Sequence, residues 1–305
     1  MLLEQCMNGL QFGLLLFLLA AGLSLIFGIM NLVNLAHGSL YMVGAFLAAT
    51  FTVLLDSFVL GMVVAVAGTV LLGIVLDVTV FRRLYSRGHL DHVLATFGLI
   101  WFFDEAVRMI WGPDSKTLHV PAALAGWVEL FQGIPYPVYR LLIIGVGLGV
   151  AVLLYLLVQH TRIGMLIRAG ASDREMISAL GANINLLYTL VVGLGAGLAA
   201  LAGVMAAPLM TVSVGMGEGI LILTFVVIVI GGIGSIRGAF VAAVMVGMID
   251  TVGRAYLPEI LRLVMSRAAA STASPGLSAM LIYLLMTIFL IVRPAGMFPV
   301  AGTQK

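Results

Sequence analysis

Charge is what this sequence has least of. Only 9% of its 305 residues are charged, against about 25% in an ordinary soluble domain. Fifteen basic and 13 acidic side chains cannot cover a water-facing surface at this length. The formal net charge of +2 is near balance, so nucleic acid is not an expected partner. Cysteine is almost absent. A single Cys6 excludes an internal disulfide and any multi-cysteine metal or iron–sulfur site within the chain. Lysine is scarce too. Lys116 and Lys305 are the only two, and neither follows the Gly-x-x-x-x-Gly spacing of a phosphate-binding loop. No His-Glu-x-x-His or Gly-x-Ser-x-Gly occurs, and no nucleophile–base constellation is visible, so an enzyme is not expected. The N-terminus has no basic region ahead of its first apolar stretch, which argues against a cleaved signal peptide.

What the chain does have is hydrocarbon. It is 62% hydrophobic, with a mean hydropathy of +1.20. Disorder requires the opposite composition. The solvent is lipid, and the useful unit is a span of about 20 apolar residues.

The charges cut the sequence into spans. Between Glu4 and Asp56 there is none, which leaves room for two spans, at 9–30 and 39–55, with a polar break at 30–38. Further spans are expected at 58–79, 93–111, 138–158, 188–210, 219–234, 239–257 and 277–292. The expected fold is an all-α polytopic transmembrane bundle, 1–305, of nine spans. The count becomes eight or ten if the break at 30–38 or that at 231–238 is re-entrant. Polar loops are expected at 112–137 and 159–187, and no soluble domain is available.

Basic residues collect on the cytoplasmic side of membrane proteins. Arg82, Arg83, Arg87, Arg162, Arg168, Arg174, Arg237, Arg293 and Lys305 fall on one side by this counting, against six elsewhere. That predicts an outside N-terminus, an inside C-terminus, a cytoplasmic 159–187 and an extracytoplasmic 112–137.

Several features are candidates for function or packing. The break holding Asn31, Asn34 and His37 reads either as a pathway-lining element or as a turn between helices, because irregular backbone at membrane depth survives only where protein or water surrounds it. Glycines four apart, Gly9/Gly13, Gly145/Gly149 and Gly193/Gly197, read as helix-packing positions. The fourth such pair, Gly234/Gly238, sits in Gly231-Gly232-Ile233-Gly234-Ser235-Ile236-Arg237-Gly238, too glycine-dense for a plain helix and read as a bend. Finally, Ser172 with Glu175 forms a capping-box pattern and Gly181 a stop, giving a short helix over 173–180. A short amphipathic helix on a loop suits docking into a partner's groove, or lying on the membrane surface. The acid–base pairs Asp104/Arg108 and Asp250/Arg254 read as mutual neutralisation on one helix face. His89 and His92 leave room for a metal pair, with a solvated loop the plainer reading.

Taken together, several motifs resemble the branched-chain amino acid ABC permease family, of the LivH-like type. These are Gly22-Leu-Ser-Leu-Ile-Phe-Gly-Ile-Met30, Asn34-Leu-Ala-His-Gly38, Tyr41-Met-Val-Gly44, Arg82-Arg-Leu-Tyr85, Thr96-Phe-Gly98, Ala169 to Gly181 and Gly231 to Gly238. The resemblance implies an importer subunit working with a second permease (a LivM-like homologue), two cytoplasmic ATPases that bind the ATP and Mg, and an extracytoplasmic solute-binding protein. It implies a bacterial inner-membrane location and no cofactor or metal in this chain. By the same resemblance, Asn31, Asn34, His37, Ser39 and Tyr41 are candidates for the pathway. Arg168, Asp173, Arg174, Glu175, Ser178, Ala179, Leu180 and Gly181 are candidates for the ATPase contact, and Gly231, Gly232, Gly234 and Gly238 for the bend. The alternatives are an ATP-independent secondary transporter or channel, whose coupling carboxylates would have to be Asp77, Asp104, Glu105 or Asp250, and a membrane-embedded enzyme.

Overall fold

The structure, a computed structural model, describes residues 2–85, 87–131, 134–172 and 174–298. Lipid cannot hydrogen-bond a backbone, so the apolar runs close their N–H and C=O groups internally as helices. In chain order these are α1 (Leu2–Met30), α2 (His37–Leu54), α3 (Phe58–Leu76), a π-helical turn (Asp77–Phe81), α4 (Arg82–Leu84) and α5 (His89–Trp111). A hairpin of β1 (Trp127–Phe131) and β2 (Ile134–Pro137) precedes α6 (Val138–His160), α7 (Arg162–Ser172) and α8 (Arg174–Ala179). The chain then forms α9 (Ile184–Ala206), α10 (Met216–Gly231), α11 (Ile236–Leu261) and α12 (Arg267–Val292).

Helix starts follow local chemistry. Ser57, Asn183, Ser235 and Ser266 each accept a hydrogen bond from the backbone N–H three residues on, satisfying a donor the helix leaves open. Among the described residues, seven helical segments are long and apolar enough to cross a membrane. α5 matches them in length but carries four acidic and basic residues, and α10 is shorter at 16 residues. The chain is a multi-pass membrane protein with an all-α bundle.

α1 forms the centre. In its most apolar window 83% of residues are buried, against 11% for α12, which therefore lies at the periphery. Lipid gives helices no hydrophobic reason to associate, so close backbone approach between small residues does the work. A methyl carbon at Gly13 would fall 2.7 Å from the Ala243 carbonyl oxygen of α11. One at Gly22 would fall 2.9 Å from the Gly195 carbonyl oxygen of α9. Gly193 and Gly197 pack on α3 side chains, whereas Gly145 and Gly149 face open space; in that part of α6 it is Gly147, against Leu14, that packs.

Several elements differ from the sequence reading. Residues 162–172, read as polar loop, form α7, whose buried face is Gly164, Ile167 and Gly170. Thr161 starts it by accepting from Gly164 N–H at 3.0 Å while donating to the Leu157 carbonyl at 2.5 Å. The helix expected over 173–180 runs Arg174–Ala179, and Asp173 lies outside the described residues. α12 begins at Arg267 rather than 277. The loop at 112–137 contains the β1–β2 hairpin and is pinned to residue 212 by paired Lys116–Val212 backbone hydrogen bonds. Arg108 pairs with Glu105 at 3.1 Å rather than with Asp104, while Asp250 and Arg254 do pair, at 2.9 Å.

Candidate functional site

The break after α1 is a compact connection. Asn31 adopts a left-handed backbone (φ 50°) that ends α1, and α2 starts six residues later at His37. Asn34 and His37 are fully buried, and neither side chain makes a hydrogen bond of normal geometry, although the Leu19 carbonyl lies near the His37 ring. His37 Nε2 sits beside Gly22, whose missing side chain makes room for it. Ser39 and Tyr41 are also buried, and the Tyr41 hydroxyl points to the sulfur of Met210 at 3.6 Å.

At the end of α1 lies an open-sided cavity of about 1340 Å³, bordered by α1, α6, α7, the turn into α11 and its first residues, and Met297 and Phe298. This exceeds the roughly 300–1,000 Å³ of a site fitted to one small ligand. A vestibule is the better description. Its polar wall is Asn31, Gln159, Arg168, Ser172, Ser235 and Arg237. The Arg237 guanidinium lies over the Tyr155 ring, 5.3 Å from its centre. Ser24 also borders the cavity, and its buried hydroxyl has no hydrogen-bond partner among the described residues.

The glycine-rich segment shapes the cavity floor. Gly232 (φ 101°) and Gly234 (φ 81°) take left-handed conformations that reverse the chain between α10 and α11. Gly231 and Gly238 then meet backbone to backbone, with no room for a methyl group on either.

The proposed ATPase-contact segment begins inside this wall. Arg168 and Ser172 of α7 border the cavity, and α8 starts two residues later. Ser178, Ala179 and Leu180 are exposed, Leu180 to 79%. Gly181 (φ 87°) ends α8, with Ala182 N–H bonding back to the Ile177 carbonyl at 3.2 Å. Arg174 and Glu175 belong to α8.

A second buried network lies where α3 passes into α4. The fully buried Asp77 carboxylate accepts from the Tyr85 hydroxyl and, at 2.6 Å, from Thr189 of α9, with Arg82 3.6 Å away. Nearby, His92 Nε2 faces the Leu84 carbonyl at 2.7 Å, and Thr96 donates to Val33 of the break at 3.3 Å. His92 is thereby engaged within the fold, and its ring also meets that of His89 edge to face, 5.9 Å between centres.

The structure therefore separates the sequence candidates. Asn31 and Arg168 meet in one cavity; Asn34, His37, Ser39 and Tyr41 lie buried behind it. Ser24, Tyr155, Gln159, Ser172, Ser235 and Arg237 were not singled out for the pathway, and only the polar break and glycine turn hinted at their neighbourhood.

A family model described as "Branched-chain amino acid transport system / permease component" matches residues 5–290. The chain belongs to this permease family. It is a transport component rather than an enzyme, as the family is the non-catalytic membrane part of ABC import systems. Such a permease works with ATPases and a solute-binding protein. It is similar to the high-affinity branched-chain amino acid transport system permease protein BraD of Pseudomonas aeruginosa, 32% identical over 266 residues, covering 82% of this chain and 86% of that protein. It is also similar to LivH of Escherichia coli K12, 28% identical over 272 residues, covering 84% and 87%. A probable LivH of Methanocaldococcus jannaschii is 26% identical over 255 residues, covering 80% and 78%. No solved structure is significantly similar.

Proposed function

We propose that this permease carries branched-chain amino acids, delivered by an extracytoplasmic binding protein, across a bacterial inner membrane, and that residues 1–305 act as one permease domain. Its partners are a second, LivM-like permease and two cytoplasmic ATPases, which hold the ATP and Mg; this chain holds no cofactor. The N-terminus faces outside and the C-terminus the cytoplasm. The relatives support the solute class by their names. The orientation is supported by the arginines gathered near one end of the bundle, with Arg82 at the Asp77 network and Arg168 and Arg237 at the cavity.

The observation that carries the mechanism is the continuity of α7 and α8. One helix contributes Arg168 and Ser172 to the cavity wall, and the next, two residues on, presents Ser178, Ala179 and Leu180 outward. Closure of the ATPases around α8 moves a wall of the cavity. Transport then alternates between two states, each favoured by a different ligand. Asn31 borders the pathway, and Asn34, His37, Ser39 and Tyr41 line its closed section, where unpartnered polar groups wait for solute.

The test is uptake into proteoliposomes holding this chain, its permease partner, the ATPases and the binding protein. Labelled leucine should accumulate only with ATP, and not with a hydrolysis-dead ATPase. Movement of leucine by the permeases alone would overturn the reading in favour of a channel or secondary transporter.

A further inference from the structure

Two threonines stand where elements of the bundle meet, and each has one proton and several acceptors. Thr189, in the second turn of α9, reaches the Asp77 carboxylate at 2.6 Å and the Asn185 carbonyl of its own helix at 2.9 Å. Its oxygen also accepts from Arg82 at 3.1 Å. Beside it, Tyr188 meets the Tyr85 ring edge to face, 4.9 Å between centres. Thr96 of α5 reaches the His92 and Val93 carbonyls of its own helix at 2.7 and 3.3 Å, and the Val33 carbonyl of the break at 3.3 Å. A helical threonine can bond its own preceding turn. Each of these can therefore give up a bond between elements without leaving its proton unpaired.

The two ties lie on one path. Gly181 ends α8 and Asn183 caps α9, so α8 leads almost directly into α9. Thr189 joins α9 to the π-helical turn at Asp77. Tyr85 joins that turn to the end of α4, whose Leu84 carbonyl faces His92. His92 and Thr96 stand four apart on one face of α5, and Thr96 meets the break. The break is the least secured segment on the path. Among the described residues, its N–H groups from Leu32 to Ala36 make no backbone hydrogen bond, although Leu32, Asn34 and Ala36 are fully buried. The Asn34 side chain has no partner either. Buried backbone groups are normally paired, so this arrangement is costly, and a second one that pairs them competes with it.

Resting on the docking of α8 on the ATPases proposed above, we infer that Thr189 and Thr96 are positioning residues for transport, releasable ties that carry a displacement of α8 to the break at 31–36. With both ties made, the break is clamped. When ATPase closure draws α8, the first turns of α9 move with it and Thr189 exchanges Asp77 for Asn185. The π-helical turn and α4 are then released, and Thr96 exchanges Val33 for His92. Asn34 and His37, at the far end of the path, rearrange with the break. A π-helical turn suits such a joint, because single π turns concentrate at functional sites.

The test is hydrogen–deuterium exchange on the assembled transporter in nanodiscs, first without nucleotide and then with ATP held by a hydrolysis-dead ATPase. In the unaltered protein ATP should slow exchange in α8 and speed it about tenfold over 32–36, the effect of losing one hydrogen bond. Thr189→Val, which keeps the shape and removes the hydroxyl, should lose most of the response at 32–36 while α8 stays protected. Thr189→Ser should keep it, and Thr96→Val should lose it from the other end. With the active ATPase, leucine moved per ATP should fall about tenfold in Thr189→Val. A hydroxyl that only stabilised the fold would lower the melting temperature and leave the ATP response and this ratio intact, which would overturn the proposal. Protection of α8 with no change at 32–36 in the unaltered protein refutes the ties alone, and that arm decides even if a variant fails to assemble. Unprotected α8 refutes its docking on the ATPases and the ties with it.

Discussion

Gly38 of α2 and Gly217 of α10 meet backbone to backbone, and a methyl group on Gly217 would overlap the Gly38 carbonyl. The first turns of two helices are locked together there, next to His37. Gly38→Ala or Gly217→Ala should lower the melting temperature of the purified permease, with a cost of about 1–3 kcal/mol for overpacking. Gly145→Ala and Gly149→Ala are the matched controls. Nothing lies within 4 Å of either position, and alanine is the better helix former by about 1 kcal/mol. Equal losses in both sets would contradict the packing account.

The Asp77 network makes a second prediction. Asp77→Ala strands Arg82 and two hydroxyls around a buried hole. Arg82, at 38% exposure, turns to water, so the cost is mainly that of the lost hydrogen bonds to a charged group, about 1.5–3 kcal/mol each. The expected readout is a large fall in melting temperature and in monodisperse protein on size exclusion, with Asp77→Asn milder because it still accepts hydrogen bonds.

The same network has an alkaline signature. Burial first, then the hydrogen bond to Asp77, push the Tyr85 phenol above its ordinary range. A raised phenol pKa adds stability that is complete below the unfolded value of about 10 and is lost as pH rises toward the folded value. Melting temperature should therefore show no Tyr85-dependent change up to about pH 10 and a decline above it. Tyr85→Phe should remove that extra decline. A Tyr85-dependent loss beginning near neutral pH would refute the assignment.

His37 offers a test in which stability and transport part company. A buried polar group without a partner costs about 1–3 kcal/mol, so His37→Leu should leave the melting temperature unchanged or raise it. Uptake should nevertheless fall if the ring lines the closed section of the pathway. Wild-type uptake with a raised melting temperature would return His37 to a structural role.

Coupling can be tested at the end of α8. Gly181 holds φ at 87°, a conformation that costs a β-branched residue about 1–2 kcal/mol. Gly181→Val, or an acidic residue in place of the exposed Ala179, should leave ATP hydrolysis running while solute moved per ATP falls. A normal ratio would remove α8 from the drive train.

The spans were legible because lipid excludes charge, so Glu4, Asp56, Arg82 and Arg162 mark ends almost by themselves. α7 was not, because its three buried residues, Gly164, Ile167 and Gly170, are two glycines and one isoleucine among exposed neighbours. Averaged over that window, an amphipathic helix looks like a loop. The cavity was illegible for another reason. Its wall draws Ser24, Tyr155, Arg168, Arg237 and Phe298 from across the chain. In a membrane protein a helix face turned to lipid and one turned to a vestibule both carry apolar residues, so periodicity does not separate them. The family motifs succeeded where periodicity failed, because the glycine turn and the Asn34–His37 break are backbone geometries tied to particular residue types.

After α12 the chain folds back, and Met297 and Phe298 donate their N–H groups to the carbonyls of Ile230 and Gly231, at 2.9 and 3.1 Å, placing both residues on the cavity wall. That side of the vestibule is therefore finished by residues that follow the last helix. During biosynthesis that flank of the vestibule stays unfinished until α12 and the residues just after it have been made, so the chamber takes its full outline only late in synthesis.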